Sequence, residues 1–64
     1  MCENKIKQYR EEMGLLQREL AEMSGISVGY LSHLEKGSRV NPSNEVMKKI
    51  AEALERSVLD IFFS

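Results

Sequence analysis

The stretch GLLQRELAEMSGISVGYLSHLEKG, residues 14–37, holds two short helical patterns separated by one tight turn. Leu20 and Ala21 set an apolar pair in a segment from about Gln17 to Met23, which Ser24-Gly25 closes. A second pattern runs from Ser27 to Lys36, with serine in the N-cap position, Leu31 and Leu34 three apart, and Gly37 as its stop. Inside its first turn stands Gly29, flanked by Val28 and Tyr30. Glycine there costs roughly 0.5–1 kcal/mol against alanine. A residue that weakens its own helix asks for a reason outside that helix.

Working outward, Ile6, Tyr9 and Met13 recur at spacings of three and four, which predicts a helix over Asn4 to Met13 with Gly14 as its left-handed stop. Beyond Gly37 the run GSRVNPSN marks a loop. Ser43 then caps a fourth helix, with Val46 or Met47, Ile50, Ala51 and Leu54 along one side. Ser57 and Asp60 have capping-box spacing and open a short last helix ending in Phe62-Phe63. No alternating strand pattern occurs. The sequence predicts an all-α fold of five short helices, one domain over residues 1–64, without linker or repeat.

With 64 residues, the chain buries only about 60% of the surface its unfolded form exposes. One cysteine rules out an internal disulfide, so the core rests on helices or on help from a second chain. Cys2, next to the initiator methionine, reads as a free thiol in a reducing cytoplasm. The longest apolar run, Val58 to Phe63, is broken by Asp60, and no signal segment opens the chain, so no membrane is expected and the location is cytoplasmic. The net charge of −1 by itself argues against nucleic acid. Its distribution argues otherwise. Acids cluster at Glu11, Glu12, Glu19, Glu22, Glu45, Glu52 and Glu55, whereas residues 26–44 hold Lys36, Arg39 and His33 against Glu35 alone.

Two short helices joined by a glycine turn outline a helix-turn-helix, and residues 14–37 resemble the phage-repressor (Cro/cI, or Xre) family of helix-turn-helix DNA-binding domains, a similarity that extends from about Ile6 to Phe62. The matching positions are Arg10, Gly14, Leu15, Gln17, Glu19-Leu20-Ala21, Gly25-Ile26-Ser27, Leu31, Leu34-Glu35, Gly37, Pro42-Ser43 and Ile50-Ala51. The resemblance implies a compact, lambda-repressor-like five-helix domain. It implies that Arg10 pairs with Glu35, tying the first helix to the recognition helix, and that Gln17 grips a backbone phosphate at a helix N-terminus. Lys36, Arg39, Asn41 and Ser43 are expected along the loop that follows the phosphates, with Arg18, Ser27 and Tyr30 as further phosphate contacts. Leu16 departs from the family's usual serine or threonine cap, which leaves Glu19 or water to satisfy the N–H groups there. Asn44 replaces a frequent leucine, and Glu55-Arg56 a usual glycine and aliphatic pair.

If the third helix enters a major groove, Leu31 and Leu34 face the core and Val28, Gly29, Ser32 and His33 face the bases. Gly29 is then small because the helix backbone approaches the DNA closely; the alternative is close packing between helices. Val28 would meet a thymine methyl, while Ser32 and His33 would meet base edges or phosphates. Without arginine, asparagine or glutamine on this face, reading leans partly on DNA shape.

Family members bind as dimers on two half-sites. The chain ends at Ser64 without an effector domain, so the dimer surface is expected at Leu59, Phe62 and Phe63, which cannot all face so small a core. One histidine, one terminal cysteine and no glycine-rich phosphate loop leave no catalytic residue, metal site or cofactor to propose. The reading is a homodimeric repressor on a palindromic double-stranded DNA operator, with a possible protein antirepressor. The alternative is an antitoxin-like or partner-binding interaction module on the same fold.

Overall fold

The computed structural model describes residues 4–37 and 42–63; Cys2, Arg39 and Asn41 lie outside these. Five α-helices follow in order: α1 Ile6–Glu12, α2 Gln17–Ser24, α3 Val28–Glu35, α4 Asn44–Leu54 and α5 Val58–Phe62. No strand occurs among the described residues, and none of their helices is long and apolar enough to cross a membrane.

Apolar spacing becomes packing at one small core. Ile6 of α1, Leu20 and Ala21 of α2, Leu31 and Leu34 of α3, Ile50, Ala51 and Leu54 of α4, and Ile61 of α5 are all buried together. Helix α2 packs on α3 and α4, and α1 lies across α3, α4 and α5. Val46 rather than Met47 is the α4 residue that extends the core toward the helix start. The Cα atoms span 23 × 22 × 22 Å. In so small a body each helix has one buried stripe and keeps its other faces open to a partner.

Met13 departs from the expected pattern: it is 40% exposed. Helix α1 ends at Glu12, and Met13 becomes its C-cap, so the i+4 repeat from Tyr9 runs out before it can reach the core. At the other end, Asn4 stands outside the helix. Its Oδ1 accepts the Ile6 N–H at 3.1 Å, and its amide donates to the Leu34 carbonyl at 2.8 Å. The Lys5 N–H donates to the Ile61 carbonyl at 2.9 Å. The N-terminal segment thus fastens the ends of both α3 and α5.

Three helices stop in the same way. After α1, α2 and α4, a left-handed residue turns the chain, and the next N–H returns to a carbonyl five residues back: Leu15 to Arg10, Ile26 to Ala21, Arg56 to Ala51, at 3.0–3.1 Å. This double-bonded exit satisfies carbonyls that the helix leaves open. Glycine supplies the left-handed residue at Gly14 and Gly25, but Glu55 supplies it after α4, with φ 56°. Arg56 then does what an aliphatic residue does at such an exit. Its guanidinium lies 4.5 Å from the centre of the Tyr9 ring and 3.7 Å from the Glu12 carboxylate, so the α4–α5 turn is held on α1.

A side chain in the left-handed region costs on the order of 1–2 kcal/mol. Glu55→Gly removes that strain and touches no core contact. We expect it to stabilise the domain by about 1 kcal/mol, a rise of roughly 4–8 °C in thermal midpoint for a domain of this size. Glu55→Ala keeps the Cβ and should give no such gain; equal effects of the two changes would refute the strain.

Candidate nucleic-acid interface

Helix α3, eight residues long, is with its side chains about 10–12 Å across, close to the width of a B-DNA major groove. Ser27 caps it, accepting the Tyr30 N–H at 3.1 Å on Oγ. Leu31 and Leu34, 0% and 2% exposed, hold one side in the core. The opposite side is open: Val28 is 43% exposed, Gly29 and His33 are exposed, and Ser32 is half-buried. A Cβ built on Gly29 would meet no atom within 4 Å. Close packing between helices is therefore not what keeps this residue small, and the space above it is open.

The pose of α3 is fixed from behind by a buried charge network. Arg10 Nε lies 2.7 Å from Glu35 Oε2 and Arg10 Nη2 donates to Glu35 Oε1 at 3.2 Å, a two-pronged contact from the last turn of α1 to the last turn of α3. Arg10 Nη1 donates to the Leu15 carbonyl at 2.8 Å. Gln17, first residue of α2, donates its amide to Glu35 Oε1 at 2.9 Å. One carboxylate thus joins α1, α2 and α3. An amide nitrogen carries two N–H donors, so this bond orients Gln17 and leaves one donor over.

The residues expected at phosphates are distributed around this centre. Arg18 is exposed in the first turn of α2, and Lys36, the C-cap of α3, is exposed as well. Tyr30 is half-buried and packs on the core. Ser43 caps α4, its Oγ accepting the Val46 N–H at 3.2 Å. As acceptors, both Ser27 and Ser43 still have a hydroxyl hydrogen to donate. The α2 start, where Leu16 has no side-chain acceptor, is served by Glu19, whose Oε1 accepts the Leu16 N–H at 2.8 Å.

Two outcomes were not legible beforehand. Phe62 separates from its neighbours: it packs against the core, whereas Leu59 and Phe63 are 68% and 65% exposed. The period of α5 explains this, since Phe62 lies one residue past the fully buried Ile61 while Leu59 and Phe63, four apart, share the outer side. Lys7 also joins the site from α1, a place the sequence pattern does not announce. With Arg10, Gln17, Ser32, Glu35 and Lys36 it lines a cleft of about 290 Å³ among α1, α2 and α3. The one trace of it there is the three-residue spacing of Lys7 and Arg10, which puts both on one side of α1.

Comparison with known proteins agrees with this arrangement. A helix-turn-helix family model matches residues 6–61. The transcriptional regulator SinR of Bacillus subtilis (strain 168) is 41% identical over 58 residues, covering 91% of this chain and 52% of SinR. The chain thus spans about half the length of that curated relative. A crystal structure of SinR, the master regulator for biofilm formation, in complex with DNA superposes with a TM-score of 0.81 at 41% identity, covering 91% of this chain and 92% of that one. The complex of SinR with the SinI protein gives 0.83 at 41% identity, covering 92% and 57%. The helix order, the glycine turn between α2 and α3, and a match across nearly every described residue place this chain in the helix-turn-helix family.

Proposed function

We propose that this chain is the DNA-binding domain of a transcriptional regulator that inserts α3 into the major groove. The observation that carries the reading is the open face of α3: Val28, Gly29 and His33 point away from a core that Leu31 and Leu34 anchor. The known complex of SinR with DNA on the same fold supports it. Val28 meets a thymine methyl, Ser32 and His33 read base edges or flanking phosphates, and Gln17, Arg18, Ser27, Tyr30, Lys36 and Ser43 fix the register on the backbone. The regulator is a cytoplasmic, non-enzymatic repressor that needs no metal or cofactor.

Dimerisation suits this role, because one short helix reads few base pairs and two half-sites one helical turn apart, roughly 34 Å, double the contact. Leu59 and Phe63 form the apolar surface we assign to the second copy. The same surface also suits a protein partner, the second reading; SinR forms a complex with the SinI protein.

Mobility shifts on DNA from around the chain's own gene, with random DNA as competitor, test the reading. We expect a specific complex whose affinity falls by orders of magnitude between 50 and 200 mM salt, because each neutralised phosphate releases counterions. Equal affinity for random DNA at low salt would move the weight to a protein partner. Gly29→Ala should raise folding stability by roughly 0.5–1 kcal/mol and yet weaken operator binding; unchanged binding would sink the close approach of backbone to DNA. Phe63→Glu should leave the monomer folded and abolish self-association in sedimentation at micromolar concentration, with loss of cooperative binding. A dimer that survives this change places its interface elsewhere.

A further inference from the structure

The cleft among α1, α2 and α3 is more than a surface irregularity. Its walls carry Lys7 from α1, Gln17 from α2, Ser32 from α3 and Lys36 from the α3 C-cap, one turn further on. Among the described residues its only carboxylate is Glu35, which is 4% exposed and spends both oxygens on Arg10 and Gln17. Arg10 and Glu35 cancel each other in charge. Lys7 and Lys36 remain, and neither has an ion-pair partner among the described residues. The cleft therefore presents two positive charges, a hydroxyl at Ser32, and the second amide N–H of a Gln17 already oriented by Glu35.

Donors and cations converging where the one carboxylate is already paired suit an oxyanion. Gln17 and Lys36 are already placed at the phosphate backbone; we propose that Lys7 of α1 joins them, so that the cleft closes on one phosphate of the DNA strand bordering the groove. The inference rests on the DNA-binding reading above. A DNA phosphate is favoured over a free anion because Ser32 belongs to α3 and Lys36 is its C-cap. When that helix enters the groove, the bordering strand passes across the cleft mouth. Glu35 acts as a positioning residue in this arrangement, since it touches no DNA and aims the amide that does.

Lys7 is exposed, so Lys7→Gln can be compared with the parent at equal fold, checked by thermal unfolding. We expect Lys7→Gln to weaken binding to operator and random DNA by the same factor. The slope of log affinity against log salt should fall by about 0.9 for each protomer bound. Lys7→Arg should restore both. Lys48→Gln, an equal charge loss at an exposed α4 position, should change the slope by less than half as much. An unchanged slope in Lys7→Gln, or an equal loss in Lys48→Gln, would overturn the phosphate seat while leaving DNA binding intact. A parent chain that binds no DNA at low salt would overturn both.

Discussion

The contact between Arg10 and Glu35 is the constraint on which the rest of the structure depends. Both side chains are nearly buried, at 10% and 3% exposed, with a shortest distance of 2.7 Å. Burying two charges costs several kcal/mol in lost hydration, which mutual attraction offsets only when the geometry is good and the remaining lone pairs are satisfied. Here they are: Glu35 accepts from two guanidinium nitrogens and from Gln17, and Arg10 also donates to the Leu15 carbonyl. Such a pair adds little net stability against an apolar substitute. What it adds is geometry, because a two-pronged contact between planar groups fixes direction as well as distance.

Direction is what α3 needs. Leucines at positions 31 and 34 give it an apolar anchor, but apolar burial is non-directional and an eight-residue helix can roll on two side chains. Pinning Glu35 at its C-terminal end removes that freedom, and the Asn4 amide on the Leu34 carbonyl holds the same end from a third side. The N-terminal half of α3, with Val28 and Gly29, is held by its Ser27 cap, by Leu31 and by the half-buried Tyr30 on the core edge. The helix is thus rigid where it meets the body and open where the interface lies. That division answers the question raised by Gly29: its weakness as a helix former is carried by a helix fixed through its other end.

The fold was legible wherever a local pattern decides it. Leu20 with Ala21, Leu31 with Leu34, and Ile50, Ala51 and Leu54 occupy the core their spacing implies, and Ser27, Ser43 and Ser57 each cap the helix that follows. Failures came at one helix exit and where distant residues decide. Met13 has the right period, yet the Leu15 N–H returning to the Arg10 carbonyl ends the helix before that period can act. Asn4 reads as helix but bonds thirty residues away. The Gln17–Glu35 bond and the place of Lys7 in the cleft likewise join segments that no short window spans. Glu55 shows the reverse: the sequence signals a broken rule, and the structure keeps the left-handed exit regardless, because the Arg56 N–H has the Ala51 carbonyl to reach and its side chain the Tyr9 ring.

Net charge misleads for a related reason. Of the ten acidic residues, Glu12 pairs with Arg56, Glu45 with Lys49 and Glu35 with Arg10. Glu19 and Asp60 accept backbone N–H groups at helix starts, where the helix dipole offsets their charge. Half the acids are thereby engaged within the fold. Lys7, Arg18 and Lys36, on α1, α2 and the end of α3, have no ion-pair partner among the described residues. Salt screens exposed charges beyond about 8–10 Å, so an approaching polyanion senses the nearest charges far more than the sum. A chain of net charge −1 can present a cationic edge because folding uses its acids to cap and staple helices while leaving these three cations in solvent.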